Sequence, residues 1–245
     1  MKNSAILIFL VIALSLPLAG CTKGGAVVTK TAPAIAFVVC LDVSDSVQPE
    51  RYATMRDEII TGLVFSRIRQ GDVIHFLQCG EDSSETPKLF VSQDGTPMHR
   101  LYPRLGGFYE NIVKPVQSRH THATDLMGAL AYAERLYHSE AGTPTPHRIE
   151  VLILTDGKPE GLASALPGLF PKEVNVGFWA IDAPNEKTLD HWAKTDAKLA
   201  DGQYQIVLFS QWQNAEAAYA QRLGRPRNPN AVKALAQHQA RASGL

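Results

Sequence analysis

Five consecutive residues, Asp42-Val43-Ser44-Asp45-Ser46, carry the densest chemistry in this chain. They follow an apolar run over 34–41, so acids and hydroxyls stand directly at its end. An oily segment this short reads as a buried strand that delivers polar groups to one edge of a sheet. A carboxylate and two hydroxyls at alternate positions offer several oxygen donors to one point, which suits a hard divalent cation. Other chemistries leave no comparable signal. The sequence has no Gly-x-Ser-x-Gly elbow and no His-Glu-x-x-His pair. The loop after the first strand lacks Gly-x-Gly-x-x-Gly and Gly-Lys-Ser/Thr, so nothing resembles a cradle for nucleotide phosphates.

The elements that must position these groups follow from apolar periodicity. Residues 34–41 predict a strand covered on both faces. Residues 50–69 predict a helix, with Tyr52, Met55, Ile59, Leu63 and Val64 at helical spacing. A strand over 72–78, a polar turn over 80–87 and a short strand over 88–92 come next. Residues 98–116, which contain Pro103, Gly106, Gly107 and Pro115, read as irregular apart from a helix around 109–113. A helix over 125–140 has Thr124 in place to cap it. Strands over 148–155, 174–181 and 204–209 then alternate with helices over 161–169, 186–199 and 211–223. Strands alternating with helices predict an α/β fold: a three-layer, doubly wound, mostly parallel sheet. Ligands in such sheets bind outside the carboxyl ends of the strands, where Asp42 to Ser46 stand. His75 and Trp179 are expected to be satisfied side chains within strands rather than site residues.

The pattern Asp-x-Ser-x-Ser resembles the metal-ion-dependent adhesion site of von Willebrand factor type A (VWA) domains, whose fold is Rossmann-like. That resemblance asks for a Thr on a second loop and an Asp after a later strand. Thr124 stands in His122-Ala123-Thr124-Asp125-Leu126, and Asp156 in Ile153-Leu154-Thr155-Asp156-Gly157. The similarity covers about residues 34–219, and all five positions occur in the family's order. It implies that the hydroxyls of Ser44, Ser46 and Thr124 coordinate the cation directly. Asp42 and Asp156 would act mostly through bound water and neutralise charge. The implied cation is Mg²⁺, with Mn²⁺ or Ca²⁺ as alternatives. One coordination position would stay open for a carboxylate from a protein partner, completing the octahedron that Mg²⁺ prefers. The resemblance thus implies a binding module and not an enzyme. Asp45, His120 and His122 are candidates for the ligand face, the two histidines as pH-sensitive groups or simply as exposed loop residues.

The start of the chain is expected to lie outside the fold. After Lys2 comes an apolar run over 5–16, too short to span a bilayer as a helix. It fits a signal peptide over 1–20. Leu18-Ala19-Gly20-Cys21 resembles the lipobox of bacterial lipoproteins, which implies acylation of Cys21 and an extracytoplasmic, membrane-anchored protein. Thr22 leans toward the outer membrane, and residues 21–33 read as a flexible tether. Cys40 and Cys79 remain, on the first strand and the next. A bridge is conceivable if those strands are neighbours, but two buried thiols are the simpler expectation.

The VWA-like domain is expected over 34–223, followed by a basic, partly helical tail over 224–245. No acid follows Glu216, whereas Arg222, Arg225, Arg227, Lys233 and Arg241 are all basic. The tail reads as solvated or partly disordered, or else as a patch for an anionic partner or membrane surface. With 24 basic and 24 acidic residues the chain as a whole has no excess charge to attract nucleic acid. Three functions fit these features. The first is a lipid-anchored module that grips an acidic protein partner through the cation. The second is a metal-assisted hydrolase, and the third a structural lipoprotein with a stabilising metal.

Overall fold

The computed structural model describes residues 33–80, 87–92, 98–116, 124–143, 146–158 and 169–242. The predicted signal peptide, Cys21, His120, His122 and nearly all of the expected 161–169 helix lie outside these residues. So does most of the polar turn over 80–87. From Pro33 onward the chain forms one compact unit.

Among the described residues the strands are β1 (Ile35–Asp42), β2 (Val73–Cys79), β3 (Lys88–Val91), β4 (Arg148–Leu154), β5 (Asn175–Ile181) and β6 (Tyr204–Leu208). They form one sheet in the order β3-β2-β1-β4-β5-β6, parallel except for the β2–β3 pair. This is a doubly wound arrangement, and its order reverses between β1 and β4. All eight residues of β1 are buried, as its unbroken apolar run requires for a central strand. Its alternate side chains enter different cores. Ile35, Phe37, Val39 and Leu41 pack with one set of helices, and Ala36, Val38 and Cys40 with the other.

The first core is covered by helices α1 (Pro49–Thr54), α2 (Ile60–Leu63), α3 (Met98–Phe108), α6 (Trp212–Leu223) and α7 (Pro229–Ala242). A π-helical turn, Met55–Ile59, joins α1 to α2, so residues 49–63 run as one helix whose Tyr52, Met55, Ile59, Ile60 and Leu63 are buried. The second core is covered by α4 (Leu126–Glu140) and α5 (Glu186–Thr195). Among the described residues no helix is long and apolar enough to cross a membrane.

Three expectations change. Residues 98–116 are not irregular: α3 runs through Pro103 into a π-helical turn, Tyr109–Val113. Leu101, Leu105 and Phe108 recur at helical spacing and are buried, and that burial outweighs the local cost of a proline inside a helix. Cys40 and Cys79 are joined as a disulfide and are not free thiols. Their strands are direct neighbours, and their Cα atoms are 5.9 Å apart, inside the window a bridge needs. Finally, three of the five basic residues after Glu216 are not simply solvated. Arg222 pairs with Glu150, Arg225 with Asp72 and Arg227 with Glu216, and α7 continues the first core through Ala231 and Leu235.

His75 is buried in β2, with Nδ1 2.7 Å from the Tyr132 hydroxyl. Burial depresses its pKa to about 4, with nearby His147 adding to the effect and Glu140 opposing it. The unfolded chain takes up this proton below about pH 6.5, whereas the fold refuses it until about pH 4. Stability is therefore lost as pH falls through that window. Between pH 7 and pH 5 this one group should cost about 2 kcal/mol. Chemical denaturation at the two pH values should show the loss in wild type and a smaller one in His75→Gln; equal losses would refute the assignment.

Candidate metal centre

The β1–β4 ladder brings the predicted groups together at the carboxyl ends of the strands. Leu41 is paired with Leu154, so Asp42 follows on one strand where Thr155 and Asp156 follow on the other. Beyond β1 the chain turns sharply: the Ser44 amide donates to Asp42 Oδ1 at 2.9 Å, and the Val47 amide to the Ser44 carbonyl at 3.3 Å. This turn aims Ser44 and Ser46 back at the strand end, their hydroxyl oxygens 3.0 Å apart.

Thr124 arrives from the other side of the sheet. It is not the cap of α4: Asp125 is, accepting a bond from the Gly128 amide at 2.7 Å. Relieved of capping, the Thr124 hydroxyl lies 3.1 Å from both oxygens of Asp42 and 3.1 Å from Ser44 Oγ. Asp42, Ser44, Ser46 and Thr124 thus form one continuous contact network. Asp156 stands close enough to Asp42 for its charge to act on that carboxyl. Asp42, Ser44, Thr124 and Asp156 are buried, Ser46 is half-buried and Asp45 is exposed.

One contributor was passed over in the sequence. Thr155 is fully buried, donates to Asp42 Oδ2 at 2.7 Å and accepts the Gly157 amide at 3.1 Å. It locks the carboxylate from behind. The only sequence signal was a hydroxyl residue immediately before Asp156. The Asp156 backbone is held in turn by β5. A bulge between Trp179 and Ile181 shifts the last pairing of that strand, and beyond its end the Asp182 amide and Asn185 Nδ2 both donate to the Asp156 carbonyl, at 3.0 and 2.9 Å.

Gly157 makes the turn after Asp156 with φ +91°, and a Cβ there would stand 2.8 Å from Ile181 Cγ2 and 3.2 Å from Asn185 Cβ. Both the conformation and the space demand glycine. Gly157→Ala should therefore destabilise the fold by about 2 kcal/mol, from the left-handed backbone and the overpacked contact. A denaturant midpoint equal to that of wild type would refute this account.

The electrostatics are those of a site short of positive charge. Burial pushes the Asp42 carboxyl up to about 6. Hydrogen bonds from Ser44 and Thr155 pull it down, and Asp156 pushes it up again. Asp156 Oδ1 accepts the Lys158 amide at 3.1 Å, but Oδ2 is buried and, among the described residues, accepts nothing. Two neighbouring buried carboxylates, one with an orphaned oxygen, beside three hydroxyls are a donor set that a hard cation satisfies. Among the described residues no group of three or more His, Cys, Asp and Glu is placed to hold a metal. The hydroxyl-rich set is therefore the arrangement to weigh, and its oxygen chemistry fits Mg²⁺, Mn²⁺ or Ca²⁺ better than a softer ion.

Neither a protein-family model nor a curated protein matches the chain. Solved structures do resemble it. Manganese-loaded TRAP protein of Plasmodium vivax is similar at 12% identity and TM-score 0.46, over 78% of this chain and 74% of that one. A von Willebrand factor type A structure from Catenulispora acidiphila is similar at 16% identity and TM-score 0.49, over 78% of this chain and 43% of that one. Proximal thread matrix protein 1 of the mussel byssus, with a zinc-occupied MIDAS motif, is similar at 14% identity and TM-score 0.44, over 76% and 47%. The chain thus spans about three quarters of the first of these and less than half of the other two.

Proposed function

We propose that the chain is a VWA-type binding module that grips an acidic group of a protein partner through a divalent cation. The observation that carries this reading is the convergence of Asp42, Ser44, Ser46 and Thr124 in one contact network, with the orphaned Oδ2 of Asp156 beside it. Ser44, Ser46 and Thr124 would hold the ion, and Asp42 and Asp156 would neutralise its charge. Mg²⁺ is the proposed ion, with Mn²⁺ or Ca²⁺ able to take its place. Neutral hydroxyls withdraw little positive charge from a cation, which leaves it attractive to an incoming carboxylate. The site is proposed to bind rather than catalyse, because the sequence carries no Gly-x-Ser-x-Gly elbow and no His-Glu-x-x-His pair.

Anchoring at Cys21 through acyl chains, on the extracytoplasmic face of a bacterial membrane, belongs to the same proposal and rests on the lipobox-like Leu18-Ala19-Gly20-Cys21. Crosslinked capture from native membranes tests the function. Wild type should retain a partner with Mg²⁺ and release it with chelator, while Thr124→Ala should retain none. Capture that ignores the chelator would overturn the reading. So would metal-dependent ester or phosphoester turnover that disappears in Asp42→Ala.

A further inference from the structure

We infer that the Cys40–Cys79 disulfide is a positioning tie for the candidate metal centre, holding both of its loops at the end of one strand. This rests on the proposed cation site and adds residues to it that the oxygen-donor motif does not contain.

The bridge lies just beneath the site. Cys40 is two residues before Asp42 on β1, and Cys79 is the register partner of Asp42 on β2. The cross-link therefore pins the last ladder rung before the Asp42–Ser46 turn. Backbone bonds carry it onward in two directions. The Val43 amide, first in the turn, donates to the Cys79 carbonyl at 3.3 Å. The Asp125 amide donates to the carbonyl of the next residue, Gly80, at 2.9 Å. Asp125 caps α4 and directly follows Thr124. The Cys79-Gly80 pair thus supports the loop that carries Ser44 and Ser46 and the loop that carries Thr124. Both sulfurs sit in the same core as Leu126, Met127 and Leu130 of α4, and both cysteines are completely buried.

A strand end is where a ladder frays most easily, because no further rung holds it. The long bond from the Val43 amide ends on the Cys79 carbonyl, so the covalent bond through Cys79 protects it. Without the bridge β2 would still pair with β1, but its end could part from Val43 and Asp125. The distances of 3.1 Å that unite Thr124 with Asp42 and Ser44 depend on both loops staying in register. Groups that orient metal ligands without touching the metal typically change affinity by about 10–100-fold.

The test is Mn²⁺ titration of the oxidised protein, of the Cys40→Ala/Cys79→Ala variant and of Leu199→Ala. Leu199 shares the core of the disulfide but bonds to neither loop, so it controls for general destabilisation. A Cys40→Val/Cys79→Ala variant, which restores core volume, serves if the first double variant does not fold. Native circular dichroism at the titration temperature is required of each. The disulfide-free variant should bind Mn²⁺ at least about tenfold more weakly than wild type, and its Val43 and Asp125 amides should exchange faster without metal. Leu199→Ala should bind as wild type does. Affinity within twofold of wild type in the disulfide-free variant would overturn the inference. If the oxidised wild type binds no Mn²⁺, the cation reading itself fails. Exchange then decides the tie alone, and wild-type protection at Val43 and Asp125 in the disulfide-free variant would refute it.

Discussion

Ser44→Ala is expected to weaken divalent-cation binding by about 100-fold or more while leaving the fold intact. Ser44 Oγ is the middle of the hydroxyl set, 3.0 Å from Ser46 Oγ and 3.1 Å from Thr124 Oγ1. Removing it takes away one of the proposed direct ligands, which should cost at least as much as the 10–100-fold seen when groups behind the ligands are lost. The scaffold survives because the Ser44 backbone makes the structural bonds: its amide still reaches Asp42, and its carbonyl still accepts from Val47. The lost hydroxyl contacts should cost only about 1 kcal/mol of stability. Titration calorimetry reads the affinity, and thermal unfolding with and without Mg²⁺ reads the consequence. At a concentration 100 times its dissociation constant the ion should stabilise wild type by about 2.7 kcal/mol, and the variant by no more than about 0.4 kcal/mol. A variant that binds Mg²⁺ as tightly as wild type would remove Ser44 from the site.

Arg225→Ala is expected to destabilise the protein by about 3–5 kcal/mol, without any change in the metal centre. Arg225 is 2% exposed and pairs with Asp72, which is fully buried. The same guanidinium donates to the Pro33 carbonyl at 2.8 Å, and Asp72 also accepts the amides of Ile35 and Arg69. One ion pair therefore fastens the segment after α6 to the beginnings of β1 and β2. Truncating the arginine leaves a carboxylate buried at neutral pH with only amide donors. For a domain of this size the melting temperature should fall by about 10 °C. In Arg225→Met combined with Asp72→Asn the buried charge is gone from both sides, and much of the loss should be recovered. Equal stability of Arg225→Ala and wild type would mean that the pair is not buried in solution.

The two variants mark the opposite ends of the sheet. Ser44 stands at the carboxyl ends, where the strand order reverses, and Arg225 at the amino ends of β1 and β2. Loss of the first should remove binding and spare stability, and loss of the second should do the reverse. That separation is what a doubly wound sheet provides: a packed base that can be stabilised without constraining the loops that carry the ligands.

By itself the sequence determined what local pattern encodes. The run over 34–41 is apolar at every position, so it had to be a strand covered on both faces. Alternating strands and helices made a doubly wound sheet the economical fold. Asp42, Ser44, Ser46, Thr124 and Asp156 could be nominated as oxygen donors because each stands near an element end, where polar side chains can face one another instead of the apolar core. The tertiary structure decided the relations across strands. Thr155 counts because β4 lies against β1, which sets its hydroxyl on Asp42. Thr124 has its hydroxyl available because Asp125 caps the helix in its place. Cys40 met Cys79, and Arg225 met Asp72, across separations of 39 and 153 residues. Pro103 stayed in a helix because Leu101, Leu105 and Phe108 found a core to fill. Periodicity reports which face of an element seeks burial, but not which partner lies beneath it. Strand order and register settle that partner, and both are properties of the whole chain closing on itself.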